Sequence, residues 1–439
     1  MSTRYPDHSK LPKNKKPYVL SGARSAFARS FGAFESMDAL ELYSRTVSGL
    51  IHKANIDPYH IQELSCGVVV PQTKNGNLAR DTVINLGLAH HIHGYTLNRA
   101  CTSSLQTISD AARSILAGHQ QLVIAGGIEC LSDVPIVYSK EARKFLVKLN
   151  KSKSIATKLG LLSEFSAKAW IPKPPGITEP MTGLSMGEHS EIMAKKNQVT
   201  RAEQDEFALM SHKKAVAAQK NGYLASEIVP IWPVSGKGDA VDKDNLIRED
   251  SSLESLSRIK PAFDRTHGTI TAGNSSPLTD GAAVCLIGDE EYAKSLGLAP
   301  QILIRDMMFV SVDPRDQLLI GPAIAIPLLA RRNGLQMKDI DYFEIHEAFA
   351  AQVLSCLKSM ASKDYCLSTL GLSSAFGEIP LDRLNVNGGA IAIGHPFGAT
   401  GARLVTSLSN QLIRSKAKFG MIGICAQGGI AGALLLEQV

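Results

Sequence analysis

The stretch YTLNRACTSSLQTISDAARSILAG, Tyr95–Gly118, decides how the residues around it are read. Its first residues have extended character and stop at a cysteine. From there Leu105, Ile108, Ala112, Ile115 and Leu116 recur at intervals of three and four, the period of an amphipathic helix. Thr102, Ser103 and Ser104 open that helix, and Gly118 closes it. Cys101 is therefore expected where a strand hands over to a helix, at the end with free N–H groups and the positive dipole. A thiol there can have its pKa lowered from about 8.5 to roughly 3.5–7.5, which makes it a nucleophile at neutral pH. The same position also suits a small apolar side chain packed at a strand end.

Outward from this stretch, strands and helices alternate. Pro17–Ser21 reads as a strand, Met37–Ala54 as a helix, Leu64–Val70 as a buried strand and Asn77–Leu88 as a helix. Gln121–Gly127 is a further strand that ends in two glycines. The alternation then lapses over about 130–250, a polar stretch with PKPPG at 172–176 and a charged loop near 235–250, read as an insertion on the first α/β unit. A loop dense in Gly, Asn, Ser and Thr follows KPAF (260–263), around 269–281, where backbone can approach a ligand closely. After it come strands at Ala282–Gly288, Ile302–Met307, Tyr342–Ile345, around Leu384–Val386 and at Gly420–Ile424. The helices among them are Ile320–Asn333, one from Glu347 and one from Thr400.

An internal repeat emerges. Thr96–Gly127 runs strand, turn, small-residue helix and strand to a double glycine, and Asn387–Gly429 repeats the order. Two related α/β halves packed together are expected to bury their sheets between helix layers. The divisions are a flexible tail over 1–17, a first half over 18–290 that carries the insertion, and a second half over 291–439.

Composition narrows the class. The 439 residues exceed one ordinary core, and 44% hydrophobic with 20% charged residues is the balance of a soluble globular protein. Seven scattered cysteines without a CxxC pair suit a reducing compartment. The polar, basic N-terminus shows neither a secretory signal nor a transit-peptide pattern, and the C-terminus shows no peroxisomal tripeptide. No apolar run reaches the roughly 18 residues that a membrane span needs. His90, His91 and His93 cannot all face one ion from a single turn, so they read as turn or surface residues. The net charge of +6 is local: Tyr138–Lys173 holds nine basic residues against two acidic ones. With Phe145, Leu146, Leu149, Ile155, Leu159, Leu161 and Leu162 interleaved, Lys140–Ala169 reads as a basic amphipathic helix. It suits an anionic membrane or a partner protein, or else a solvated face over its own domain. Nothing in this pattern calls for nucleic acid.

Cysteine catalysis needs a base, a site for developing negative charge and a second proton-transfer group. The second half offers three candidates in glycine-rich settings. His395 lies between Gly394 and Pro396 at a tight turn before a helix, where a ring of near-neutral pKa can serve as base. His346 and Glu347 stand where a strand ends and a helix begins. Cys425, in ICAQGG, sits at another strand end beside N–H groups that could donate to an oxyanion. Read singly, each admits a structural role as a turn residue, a helix-start residue or a buried thiol. Their shared place at strand ends is where α/β sheets bind ligands.

NRACTSS (98–104), KPAF, TAGNSSPLTDGAA (271–283), HEAFA (346–350), NVNGGAIAIGHPFGATGAR (385–403) and CAQGG (425–429) follow the order found in thiolases. The chain resembles that family over nearly its whole length, from about Tyr18 to Val439. HEAFA in place of the commoner NEAFA, with the long basic insertion, is similar to the β-subunits of fatty-acid oxidation complexes, the degradative 3-ketoacyl-CoA group. The resemblance implies duplicated halves in α-β-α-β-α layers with an inserted loop domain. It implies Cys101 as the nucleophile that becomes the acyl thioester, His395 as its base, and Cys425 as the acid and base acting on the enolate and on CoA. It implies His346 in place of an asparagine that orients an oxyanion-hole water. The backbone N–H groups of Cys101 and Gln427 would form a second oxyanion hole, and Ser276 and Met186 would line the CoA channel. Gln427 stands where glycine is common, which raises the question of positive φ there.

The resemblance also implies 3-ketoacyl-CoA and CoA as substrates, with no cofactor and no metal. It implies a homodimer, a hydratase/dehydrogenase α-subunit as partner, and a cytoplasmic or mitochondrial-matrix location. A biosynthetic acetoacetyl-CoA thiolase shares these residues. A ketoacyl synthase would not need Cys425, and a scaffold subunit would need none of them.

Overall fold

A computed structural model describes residues 15–161, 165–171, 178–233 and 239–439. The polar tail up to residue 14, the PKPPG run and Lys173 lie outside the described residues. Lys15 is already pinned, its ammonium 2.6 Å from the Asp289 carboxylate.

The first half comprises β1 (Pro17–Arg24), β2 (Ala28–Arg29), α1 (Ala39–Ala54), β3 (Glu63–Gly67), α2 (Leu78–Asn85), β4 (His93–Leu97), α3 (Ser103–Leu116) and β5 (Leu122–Glu129). Next come α4 (Lys140–Lys151), α5 (Ile155–Leu161), α6 (Met186–Lys196), α7 (Arg201–Lys220) and α8 (Leu253–Ser257). The half closes with β6 (Thr279–Asp289) and α9 (Glu290–Ser295). The second half has β7 (Ile302–Ser311), α10 (Pro322–Arg332), β8 (Tyr342–Ile345), α11 (Ala350–Ala361), α12 (Lys363–Leu370) and α13 (Ala390–Ile393). It ends in α14 (Thr400–Ser415), β9 (Phe419–Ala426) and β10 (Ile430–Gln438).

Among the described residues the strands join in the order β4-β3-β5-β6-β1-β7-β10-β9-β8. The halves mirror each other about the β1–β7 seam. β3 runs parallel to β5, which is antiparallel to β6, and β6 to β1; β8, β9, β10 and β7 repeat those relations.

Alternation along each strand divides its side chains between two faces. Leu122, Ile124, Val284 and Leu286 pack with Leu42, Val47 and Leu50 of α1, while Val123, Ala125, Cys285 and Ile287 pack with α3 and α14. Ile422, Ile424, Leu434 and Leu436 meet the same two helices from the other side, and Met421, Ala433 and Leu435 face α10 and α11. The layers are thus α-β-α-β-α, with α3 and α14 in the middle. These two helices touch at Gly401, where a Cβ would lie 2.4 Å from the Leu105 nitrogen. The Ser104 hydroxyl accepts the Ala402 N–H at 3.0 Å beside that contact. This crossing carries Cys101 and His395 to the same place.

Three expectations need correction. The strand expected around Leu384–Val386 is a lone parallel bridge between Leu384 and Phe343. Asn385 has φ 45°, and its side-chain amide donates to and accepts from the Ile345 backbone at 2.9 Å, taking the ladder bonds itself. The helix expected from Glu347 begins at Ala350, because Phe349 is extended and Glu347 is held by Ser211 and Asn385. The basic segment forms two short helices, α4 and α5, instead of one. The remainder of the insertion adds α6 and α7, and buried Arg24 ties it to β1 through Asp244 (2.7 Å) and Glu227 (3.2 Å).

Candidate active site

Cys101 is presented by a turn locked with short polar side chains. The Asn98 side chain accepts the Ala100 N–H at 2.9 Å. The Thr102 and Ser103 hydroxyls donate back to the carbonyls of Arg99 (2.7 Å) and Ala100 (2.6 Å). These bonds hold Ala100 at φ 47°, a left-handed conformation that costs a residue with a Cβ about 1–2 kcal/mol. Cys101 is half-buried and faces a cavity of about 690 Å³, within the range for small-molecule sites. Cys425, His395, Gln427, Met186 and Ser276 line the same cavity.

His395 follows Gly394 at the end of α13. Its backbone N–H donates to the Thr279 hydroxyl at 3.0 Å, and its Nδ1 lies 2.6 Å from the Thr400 hydroxyl oxygen. That hydroxyl donates its one proton to the Pro396 carbonyl at 3.1 Å. Its oxygen is left to accept Nδ1–H, which puts the bare lone pair on Nε2. Nε2 stands 3.3 Å from the Cys101 sulfur.

Burial pushes the His395 imidazole down to about 3, and the buried Arg403 guanidinium adds to the effect. Burial likewise pushes the Cys101 thiol up to about 12, helped by the Glu129 carboxylate; the nearby backbone N–H groups of Cys101 and Gln427 oppose it. The expected lowering by the helix end is thus outweighed by desolvation. At rest the pair is a neutral thiol and a neutral imidazole.

His346 is fully buried behind the cavity wall, with its ring against that of His395. Its backbone N–H donates to the Gly423 carbonyl at 2.8 Å, and neither ring nitrogen has a hydrogen-bond partner among the described residues. Burial first, then His395 and Arg403, keep its ring neutral. Cys425 is near the end of β9, and burial raises its thiol well above the ordinary range, as do neighbouring Cys356 and Cys101. Gln427 does not need positive φ: the left-handed positions fall on Gly428 (82°) and Gly429 (68°).

The sequence reading did not single out Thr400 or the buried Arg403–Glu344 pair beneath the two histidines (3.6 Å). Arg403 closes the quoted GATGAR run, and nothing local marks it as buried. Among the described residues, no three His, Cys, Asp or Glu side chains are grouped to hold a metal ion.

The family model described as "Thiolase, N-terminal domain" matches residues 18–291, and "Thiolase, C-terminal domain" matches 298–438. The chain is 43% identical over 418 residues to a 3-ketoacyl-CoA thiolase of Pectobacterium carotovorum, covering 95% of each chain. It is 40% identical over 425 residues to a 3-ketoacyl-CoA thiolase of Shewanella woodyi, covering 97% of each. Among solved structures it is similar to the Bacillus anthracis acetyl-CoA acetyltransferase. There the TM-score is 0.83 and the identity 31%, across 97% of this chain and 99% of the other.

Proposed function

Because the chain belongs to the thiolase family, we propose that it cleaves 3-ketoacyl-CoA with coenzyme A to acetyl-CoA and a shortened acyl-CoA, the last step of fatty-acid β-oxidation. The observation that carries this reading is the Cys101–His395 contact of 3.3 Å on a cavity that Cys425 also lines. The relatives named as 3-ketoacyl-CoA thiolases support the degradative substrate class.

His395 takes the Cys101 proton at Nε2 as the sulfur attacks the 3-keto carbon. A neutral pair fits this order, since the charge forms only when a carbonyl is there to accept it. The N–H groups of Cys101 and Gln427 hold the oxygen that gains charge. The bond between C2 and C3 then breaks, and its electron pair passes to the acetyl-CoA enolate. The Cys425 thiol protonates C2, and His346 offers its one ring N–H to the enolate oxygen only where substrate displaces the wall in front of it. Acetyl-CoA leaves, with the acyl group on Cys101. Incoming CoA gives its thiol proton to Cys425, its sulfur attacks the thioester, and Cys101 departs to regain its proton from His395. Met186 and Ser276 line the approach of the CoA arm.

A thiolysis series over increasing acyl length tests the reading. Turnover of medium and long 3-ketoacyl-CoA is expected. Turnover restricted to acetoacetyl-CoA would move the assignment to an acetoacetyl-CoA thiolase, and intact turnover in Cys425→Ala would move it to a ketoacyl synthase.

The chain pairs as a homodimer and meets a hydratase/dehydrogenase α-subunit. The part built on α4 and α5 supports a docking role. It exposes Leu146, Val147, Ile155, Leu159 and Phe165 among exposed Lys140, Lys144, Lys151 and Lys158, over an aromatic cluster of Phe145, Phe165 and Trp170. An anionic membrane surface would meet the same chemistry. No helix among the described residues is long and apolar enough to cross a membrane. Co-purification and liposome flotation, with and without 140–173, separate the two. Seven cysteines without a disulfide suit a reducing compartment, the cytoplasm or the mitochondrial matrix.

A further inference from the structure

Within the insertion, after the part built on α4 and α5 and before α6, Thr178–Ser185 form a strap that reaches the catalytic cavity. Thr178 bridges Ser185 in antiparallel fashion, the Glu179 N–H donates to the Leu184 carbonyl at 2.8 Å, and the Gly183 N–H returns to the Glu179 carbonyl at 2.8 Å. Ser185 then caps α6 in a reciprocal box with Glu188. The first two strap residues hold the Gln427–Gly429 turn. The Gln427 side-chain amide donates to the Thr178 carbonyl at 2.9 Å, and the Gly428 N–H donates to the Glu179 carboxylate at 2.9 Å.

That turn is soft on its own, because two successive glycines in left-handed conformation have no Cβ to restrict them. Its function needs rigidity, since the Gln427 N–H must meet the oxygen of a carbonyl that is bonded to the Cys101 sulfur. The pairing of Ala426 with Ile430 holds the chain before the peptide that bears the Gln427 N–H, and Glu179 holds the peptide after it, so the tilt of that N–H is set from both sides. Glu179 is buried, at 3% exposure, and a bond from N–H to a carboxylate is about twice as strong as a neutral one. We infer that Glu179 is a positioning residue for the oxyanion hole, acting through the Gly428 N–H to orient the Gln427 N–H toward the reacting carbonyl. It follows that the insertion carrying the docking surface is joined through the strap to the catalytic turn.

This rests on the thiolase reading, so the test pairs turnover with a readout that needs no substrate. Glu179→Ala, Glu179→Gln and Gln427→Leu in the full chain are compared with the parent. The measurements are thiolysis kcat and KM, thermal unfolding, and the rate of Cys101 alkylation by iodoacetamide against pH. Removing one oxyanion donor costs about 100- to 1,000-fold, so misorienting one in Glu179→Ala should lower kcat at least about tenfold with KM within about threefold. Alkylation at fixed pH should slow, because the thiolate loses an aligned N–H. Glu179→Gln, which keeps an acceptor, should restore most of both, and Gln427→Leu should move both in the same direction by less. Unchanged kcat and alkylation in Glu179→Ala would overturn the inference. So would a loss of kcat that Glu179→Gln does not restore and that tracks a fall in melting temperature. If the parent itself fails to cleave 3-ketoacyl-CoA, the thiolase reading falls, while the alkylation comparison still decides whether Glu179 sets the turn.

Discussion

The imidazole rings of His346 and His395 stand 4.0 Å apart between centroids, inclined by 48°. Burial keeps both rings neutral, and the nearness of His395 adds to the effect on His346. On the proposed reading His346 serves as a hydrogen-bond donor, not as a charge. Truncation in His346→Ala should lower kcat about 100-fold or more, whereas His346→Asn, which can still donate, should keep a larger share. Steady-state thiolysis of one 3-ketoacyl-CoA measures both; equal losses would remove the donor role.

The Thr400 hydroxyl selects which nitrogen of His395 faces Cys101. Thr400→Val preserves shape and removes the acceptor, leaving Nδ1–H unpaired and the tautomer unfixed. A fall in kcat of roughly 10- to 100-fold is expected, in the range of general-base effects, with KM little changed. Thr400→Ser should recover most of the activity.

With the thiol raised and the imidazole lowered, the pH dependence has a definite sign. Thiolate grows only as pH rises, and His395 stays unprotonated down to about 3. Alkylation of Cys101 in the free enzyme should climb about tenfold per pH unit between about 7 and 10. No plateau should appear near 6.5, because no thiolate–imidazolium pair exists at rest. A plateau across neutral pH would show such a pair.

Gly401 lets the two central helices meet, with a Cβ there 2.4 Å from backbone. Gly401→Ala should therefore destabilise by about 1–3 kcal/mol, measured as a lower urea midpoint. It should also lower kcat, because α14 carries Thr400 and follows His395.

The alternating core was readable because its signal is local, a period of two or of 3.6, and the four side chains expected to carry chemistry stood out as reactive groups at strand ends, which the structure brings close together. The two helices α6 and α7 were hidden because half of their buried residues are polar. They include His189, Ser190 and Glu191 on one helix, and Gln204, Asp205, Ser211 and His212 on the other. Their starts were nonetheless written in the chain as Ser185-x-x-Glu188 and Thr200-x-x-Glu203, both reciprocal capping boxes in the structure. β10 is buried along most of its length, so its apolar run lacks the alternation that marks a strand with one wet face. The raised thiol of Cys101 was not legible, because it comes from packing by segments hundreds of residues away.

The bond from His395 to Cys101 spans 294 positions of sequence. During synthesis, the cysteine leaves the ribosome long before its base, and Cys425 emerges later still. Until nearly the whole polypeptide has been made, the nascent thiol lacks both the imidazole and the second thiol that share its cavity. The cavity therefore gains its full set of chemistry-bearing side chains only when the last strands close.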